Sequence, residues 1–169
     1  MIFFIAGGID SGKTARMRSA YDALPSGTCM GFLSVKSYCS GEFIGYDLVE
    51  LASEAVIPLA RLSLLYGGQF AKPFTFDRFT FDQSAFDYGC MRILEAAAAK
   101  ACLGIFIDEV GPMELSGLAF APALEGIIGS RAFVSKDIYI AARSSCVDQI
   151  CSLFGLEPNS VLHVNEQAI

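Results

Sequence analysis

The chain has 169 residues, of which 53% are hydrophobic and 18% charged, a composition typical of one packed domain without extensive disorder. Its net charge is −6 and its 12 Lys and Arg residues form no basic cluster, so we expect no nucleic-acid partner. No apolar run approaches the roughly 20 residues that cross a bilayer, and the N-terminus lacks a signal-peptide pattern. We therefore expect a cytoplasmic protein with no membrane partner.

The first predicted elements are a strand, a loop and a helix. Residues 2–6 form a continuous apolar run, which is typical of a buried parallel strand. Residues 7–14 read Gly-Gly-Ile-Asp-Ser-Gly-Lys-Thr and fit the phosphate-loop (Walker A) pattern. Residues 14–24 lack Gly and Pro and are predicted to be helical, so the loop would deliver a phosphate to a helix N-terminus.

Each position of this loop has a predicted task. Gly7 and Gly12 let the backbone turn tightly and approach the phosphate oxygens. Lys13 would reach the β- and γ-phosphates, and the Thr14 hydroxyl would ligate Mg²⁺. A glycine-rich turn without a ligand is the alternative interpretation. The predicted nucleotide-binding residues are Gly7, Gly8, Ile9, Asp10, Ser11, Gly12, Lys13, Thr14 and Ala15.

The middle of the chain is predicted to contain a hairpin and two weaker strands. After a break at 25–27, residues 29–35 and 43–49 read as two strands joined by a turn. Residues 61–65 and 74–81 are the weaker candidates. We expect the hairpin to lie at an edge of the sheet.

The second half of the chain alternates helices and strands. Asp82 is a predicted N-cap for a helix that runs to about residue 101. Strands are predicted at 104–107, 138–142 and 161–164, and helices at 120–128 and 146–154. This alternation predicts an α/β protein with the three-layer P-loop NTPase fold, a mainly parallel sheet and an antiparallel hairpin at its edge. We predict a single domain over residues 1–169.

Two carboxylates, Asp108 and Glu109, follow the apolar strand residues 105–107. In open α/β sheets ligands bind at the carboxyl ends of strands, where these acids would lie. The first would hold Mg²⁺ (a Walker B acid), and the second would orient or deprotonate a water near the γ-phosphate. Two solvated acids at a strand end are the alternative interpretation.

These acids belong to the run Ile-Asp-Glu-Val-Gly-Pro-Met-Glu-Leu at residues 107–115. This run resembles the signature of the small P-loop nucleoside-triphosphatase family that includes cancer-related nucleoside-triphosphatase. Residues 31–32 and 44–49 are similar to that family's strand and hairpin, and Phe86 matches a Phe early in its helix. The resemblance spans most of residues 1–128.

The resemblance implies Mg²⁺-dependent hydrolysis of nucleoside 5′-triphosphates, including ATP and GTP, to the diphosphate and phosphate. It implies that Lys13 and Thr14 have phosphate and metal roles, Asp108 a metal role and Glu109 a water-positioning role. An additional cation is expected at the transition state, and Arg143, after the predicted strand 138–142, is our catalytic candidate beside Lys13 and Glu109.

Some residues depart from the family pattern. The family's loop usually carries Pro and Gly where this chain has Ile9 and Asp10, and a carboxylate facing the γ-phosphate would be unfavourable. The family's Thr-Glu-x-Arg-like stretch is replaced at 34–38, which leaves Lys36 as the nearby cation. Glu114 would be either a second carboxylate near the metal or a cap for the next helix.

Two alternatives to the hydrolase remain from the sequence. One is a small-molecule or nucleotide kinase, which requires a pocket for a phosphoryl acceptor. The other is a nucleotide-binding adaptor with negligible turnover. The sequence also leaves open whether the chain forms a homo-oligomer.

Overall fold

A computed structural model describes residues 1–164, so the last five residues of the predicted domain lie outside the described part. Among the described residues, nine strands form one mixed sheet. The strands are β1 (Ile2–Gly7), β2 (Cys29–Cys39), β3 (Glu42–Glu50), β4 (Val56–Leu62), β5 (Pro73–Phe76), β6 (Phe79–Asp82), β7 (Gly104–Val110), β8 (Asp137–Arg143) and β9 (Ser160–Val164).

The strand order is β5-β6-β4-β3-β2-β7-β8-β1-β9. The strands from β2 to β9 in this order pair in parallel, as expected for buried apolar strands joined by helices. The strands from β2 to β5 pair in antiparallel fashion. The predicted parallel sheet with an antiparallel edge is confirmed, and the antiparallel part extends beyond the predicted hairpin to β4, β6 and β5.

The two weaker strands have different bounds from those predicted. The strand predicted at 61–65 begins earlier, as β4, while Ser63–Leu65 form a short 3₁₀ turn. The strand predicted at 74–81 is two strands, because Asp77 takes a positive φ of 52° and reverses the chain. β4 includes Pro58, a residue that argues against a strand when only the local sequence is considered. Pairing with β3 nevertheless holds this segment in the sheet.

Five helices of the described chain connect the strands: α1 (Lys13–Asp22), α2 (Gln83–Ala98), α3 (Pro112–Leu115), α4 (Ala121–Gly129) and α5 (Val147–Phe154). The predicted N-cap of α2 is confirmed, since the Ser84 backbone N–H donates to Asp82 Oδ1 at 2.9 Å. None of the helices within residues 1–164 is long and apolar enough to cross a membrane.

The helices cover both faces of the sheet and so form the three expected layers. On one face, Met17 of α1 packs against Ile5 and Phe106. On the other face, α2, α4 and α5 bury a larger core that includes Phe86 and Ile150. The carboxyl ends of β1, β7 and β8 meet at one edge, where register pairs Gly7 with Arg143, and the candidate site lies there.

Candidate active site

The loop at 7–14 joins the end of β1 to the start of α1. Gly12 has a φ of 89°, and this left-handed conformation, which a glycine adopts at little cost, turns the chain into the helix at Lys13. Gly7 leaves space that a Cβ would take from the Ser11 hydroxyl and the Val164 carbonyl. The loop therefore presents the N-terminus of α1 to the edge of the sheet, as the phosphate-loop pattern requires.

The Ser11 hydroxyl has an unsatisfied hydrogen-bonding capacity. Its Oγ is buried and has no hydrogen-bond partner within residues 1–164. Buried polar atoms are nearly always paired, so this hydroxyl is available to donate to a phosphate oxygen bound in the loop. The loop tip is more open, since Ile9 is exposed there, and Ala15 in the first turn of α1 is exposed as well.

Lys13 is held inside the loop rather than extended into solvent. Its side chain is only 3% exposed, and its Nζ donates to the Gly8 carbonyl at 2.6 Å. Glu109 Oε1 lies 4.0 Å from the same Nζ. A buried ammonium requires compensating negative charge, which a phosphate in the loop would supply.

Thr14 and Asp108 meet beside Lys13. The Thr14 hydroxyl donates to Asp108 Oδ2 at 2.8 Å. Backbone N–H groups of Ser34 and Glu109 donate to the two oxygens of the same carboxylate at 3.1 and 3.0 Å. Asp108 is 2% exposed, and burial, reinforced by the charge of Glu109, raises the pKa of Asp108 to about 7. A cation bound here would favour the ionised carboxylate.

The donor set of this pair fits Mg²⁺, which prefers oxygen ligands and binds through few protein groups together with phosphates and water. Thr14 Oγ1 and Asp108 Oδ2 are both oxygens and already adjacent. Within the described residues, no three His, Cys, Asp or Glu side chains cluster closely enough to hold a metal by themselves. A metal at this site would therefore depend on phosphate oxygens as well.

Glu109 has an unusual backbone conformation. Its φ is 60°, and the pairing of β7 with β8 shifts register between Ile107 and Val110. A left-handed non-glycine residue costs roughly 1–3 kcal/mol, and such strain clusters at functional sites. The side chain is 43% exposed and its carboxylate reaches Lys13, whereas Asp108 is buried. The two adjacent acids thus occupy different environments, as their predicted roles require.

Asp10, the residue expected to disfavour a γ-phosphate, has a partner in the structure. Its Oδ1 lies 2.9 Å from Lys36 Nζ, and this ion pair raises the pKa of the Lys36 ammonium. The pair joins the tip of the phosphate loop to β2. Asp10 and Lys36 are both departures from the family pattern, and their opposite charges offset each other.

Glu114 makes the contacts of a cap, one of the two roles considered for it. Its Oε2 accepts from the Gly111 backbone N–H at 2.8 Å and its Oε1 from the Phe120 N–H at 3.2 Å. Burial raises the pKa of Glu114 to about 7. Both oxygens hold the chain that follows Glu109, so Glu114 supports the acidic segment.

Arg143 lies at the end of β8, where it is exposed and lines a cavity together with Asp108 and Glu109. Two other basic residues, Arg78 and Lys36, contact different groups. The Arg78 guanidinium lies over the Phe79 ring, 5.2 Å from its centroid, and Lys36 pairs with Asp10. The structure thus brings Arg143 to the cavity that the acids line.

Two contributions to the site were missed from the sequence. The Ser34 backbone N–H donates to Asp108, and a main-chain donor has no side-chain signature to find. Aromatic side chains of the antiparallel strands, such as Tyr46 and Phe79, line the same cavity as Glu109. Their alternation with polar residues was visible, but the order of the strands that brings β3 and β6 to this cavity was not.

The sheet order, the loop at the end of β1 and the buried Thr14–Asp108 pair at the adjoining strand end define a protein of the P-loop NTPase fold. The chain resembles the crystal structure of THEP1 from the hyperthermophile Aquifex aeolicus, with a TM-score of 0.71 and 15% identity over 98% of this chain and 91% of that one. It also resembles the solution structure of a human cancer-related nucleoside triphosphatase, with a TM-score of 0.63 and 17% identity over 99% and 89% of the two chains.

The family model described as NTPase matches residues 2–168, and the chain therefore belongs to this NTPase family. No curated protein matches the sequence. The family predicted from the signature at 107–115 is confirmed. Membership of this family supports nucleotide hydrolysis in general.

Proposed function

We propose that this protein hydrolyses nucleoside 5′-triphosphates, including ATP and GTP, to the diphosphate and inorganic phosphate in a Mg²⁺-dependent reaction. It would act in the cytoplasm as a single domain over residues 1–169, with the nucleoside triphosphate as its partner. The observation that carries the proposal is that Glu109 Oε1 lies 4.0 Å from Lys13 Nζ, beside the Thr14–Asp108 pair.

The triphosphate would bind through the amides of residues 7–15, with the unpaired Ser11 hydroxyl as one further donor. Lys13 would exchange the Gly8 carbonyl for oxygens of the β- and γ-phosphates. This exchange places negative charge beside a buried ammonium, which stabilises both groups.

Thr14 and Asp108 are the residues that would hold Mg²⁺. Bound there, the ion would neutralise charge on the phosphate oxygens. The backbone N–H groups of Ser34 and Glu109 keep the Asp108 carboxylate in place for this task, since each donates to one of its oxygens.

Glu109 would position the attacking water. The water oxygen attacks the γ-phosphorus, and the bond from that phosphorus to the β–γ bridging oxygen breaks. Glu109 accepts the proton that the water loses, since its partly exposed carboxylate reaches the Lys13 ammonium that would contact the γ-phosphate. Arg143, on the same cavity, would stabilise the charge that develops on the transferred phosphoryl group.

The test is phosphate release from ATP, GTP, CTP and UTP with Mg²⁺ by the wild type, Lys13→Ala and Glu109→Gln. Glu125→Gln, an exposed glutamate on α4, is the matched control. We expect Glu109→Gln to lower kcat by roughly 10²–10⁴-fold, the range for loss of a general base. Its affinity for a non-hydrolysable triphosphate, measured by calorimetry, should stay close to that of the wild type.

The outcomes separate the hydrolase from the nucleotide-binding adaptor. Turnover that Lys13→Ala and Glu109→Gln both abolish, and that Glu125→Gln keeps, supports the hydrolase. Tight binding with no phosphate release from the wild type would contradict it and favour the nucleotide-binding adaptor. If Glu109→Gln released phosphate at the rate of the wild type, Glu109 would have no catalytic role.

A further inference from the structure

A cavity of about 320 Å³ opens beside the acidic pair, on the face of the sheet that α2 covers. Six of the sixteen residues that line it are aromatic: Tyr46, Phe76, Phe79, Phe81, Phe86 and Phe120. Hydrolysis requires space for one water next to the γ-phosphate, so a cavity of this size and composition needs another explanation. Its volume lies at the lower end of the roughly 300–1,000 Å³ typical of small-molecule sites.

The polar end of the cavity faces the place of the γ-phosphate. Asp108, Glu109 and Ser34 line this end, whereas none of the described residues of the phosphate loop, 7–14, does so. Asp108 bonds to Thr14 and Glu109 approaches Lys13, so the cavity begins where the triphosphate chain would end. The occupant is therefore a second molecule and not the nucleotide that the loop holds.

The aromatic end selects a flat ring. Phe81, Phe86 and Phe120 are buried and form a fixed wall, whereas Tyr46 and Phe79 are partly exposed and pack with their centroids 5.4 Å apart. Aromatic rings pack favourably against other rings in offset or edge-to-face arrangements. A ring-bearing ligand would therefore be held between these side chains.

The charges at the cavity disfavour an anionic ligand. Four carboxyl groups, those of Asp77, Asp108, Glu109 and Glu114, line it together with one guanidinium, that of Arg143. Asp108 accepts from Thr14 and two backbone donors, and Glu114 accepts from two backbone donors, which leaves Glu109 as the acceptor for a hydroxyl group beside the γ-phosphate. A neutral ring carrying a hydroxyl matches this set of groups.

We propose that this cavity binds a nucleoside, whose base lies among the aromatic side chains and whose primary hydroxyl accepts the γ-phosphoryl group; this inference rests on the proposed triphosphate site. The hydroxyl oxygen attacks the γ-phosphorus, the bond to the β–γ bridging oxygen breaks, and the hydroxyl proton passes to Glu109. The products are a nucleoside monophosphate and a nucleoside diphosphate. When the cavity holds only water, water takes the same position and the reaction is hydrolysis.

The experiment supplies the full chain with Mg²⁺, a triphosphate donor and a nucleoside acceptor with a different base. ATP is the donor for guanosine, cytidine and uridine, and GTP is the donor for adenosine, so the monophosphate identifies its acceptor. Ribose, which has the hydroxyl but no base, is the control acceptor. Mass spectrometry measures the monophosphate, and a phosphate assay on the same samples measures hydrolysis.

Two variants test the aromatic wall while keeping an apolar side chain. Phe79→Leu and Phe76→Leu remove partly buried rings of the cavity, and either one suffices if the other fails to fold. Phe133→Leu, which changes a partly buried ring elsewhere in the core, is the matched control. We expect the ratio of monophosphate to free phosphate to fall about 5-fold or more in the cavity variants, the scale of a lost aromatic contact.

Monophosphate from at least one nucleoside, none from ribose, and a ratio lowered only by the cavity variants would support the proposal. Free phosphate without any monophosphate would overturn it while leaving the proposed hydrolase intact. An equal yield from ribose would also overturn it, because the base would then play no part. Absence of both products, with no triphosphate binding, would instead contradict the proposed function itself, and this inference with it.

Discussion

The carboxylate of Asp10 lies 2.9 Å from the ammonium of Lys36, so the tip of the phosphate loop is tied to the central part of β2. Both side chains remain partly exposed to solvent. The pair offsets the negative charge that Asp10 would otherwise present to a bound triphosphate.

We therefore predict that Lys36→Met weakens triphosphate binding by about 3- to 10-fold, a small effect because exposed ion pairs are screened by solvent. The double variant Asp10→Asn/Lys36→Met should recover most of the affinity, since it removes the uncompensated carboxylate. Calorimetric titration with a non-hydrolysable triphosphate, at low and high salt, measures both effects. Equal losses in the single and double variants would show that Lys36 acts independently of Asp10.

The Thr14 hydroxyl should matter for the metal more than for the fold. Thr14→Val removes a donor to Asp108 and one oxygen ligand, so we expect the Mg²⁺ concentration for half-maximal activity to rise by roughly 10–100-fold. Thr14→Ser keeps the hydroxyl and should stay near the wild type. Titration of phosphate release with Mg²⁺ gives this value for all three proteins. The same midpoint in the Val and Ser variants would exclude Thr14 as a ligand.

Arg143 should act on the reaction rather than on binding. Arg143→Met removes the cation that shares a cavity with the acidic pair, and we expect kcat to fall by about 10²-fold or more with little change in triphosphate affinity. Arg78→Met is the matched control, because that guanidinium lies over the Phe79 ring. Steady-state kinetics and calorimetry measure the two quantities. An unchanged kcat in Arg143→Met would show that Arg143 has no catalytic role.

Glu114 should make stability depend on pH. Burial raises its pKa to about 7 from an ordinary value of 4.5, so between these values the folded state keeps a proton that the unfolded state has released. The free energy of unfolding should therefore fall as pH rises through this window, by up to about 1.4 kcal/mol per pH unit.

Urea unfolding between pH 4.5 and 8 tests this expectation. The wild type should show a steeper fall than Glu114→Gln, although Asp108, whose pKa burial also raises to about 7, contributes the same slope to both proteins. The variant is expected to be less stable throughout, since an amide accepts from only one of the two backbone N–H groups. If the free energy of unfolding fell equally steeply with pH in both proteins, the result would contradict the raised pKa of Glu114.

Gly31 holds β2 close to β7, the strand that carries the acids. A Cβ there would collide with the backbone of Phe106, so Gly31→Ala should destabilise the protein by about 1–3 kcal/mol. Gly129→Ala is the control, because a Cβ at the end of α4 meets no atom within 4 Å. Urea unfolding of both variants measures the difference. Similar stabilities of the two variants would mean that β2 and β7 can move apart to accommodate the Cβ without a cost in free energy.

Local patterns determined much of this protein. The apolar run before residue 7, the glycines of the loop and the Asp82 cap each act on neighbouring residues, so their structures follow from short-range sterics and hydrogen bonds. The alternation of strands and helices was enough to predict the three layers, because few arrangements bury such faces. The position of Asp108 and Glu109 at the end of an apolar strand suggested their roles, and the family signature at 107–115 implied the same ones.

Only the tertiary structure decided how distant residues combine. Thr14 and Asp108 are 94 positions apart in the chain, and their hydrogen bond exists because β1 and β7 both flank β8 and end at the same edge of the sheet. The left-handed backbone of Glu109 depends on the register shift beside β8, and the Asp10–Lys36 pair depends on where β2 lies. The sequence specifies which side chains are present, but the distances between them arise from the packing of the whole sheet.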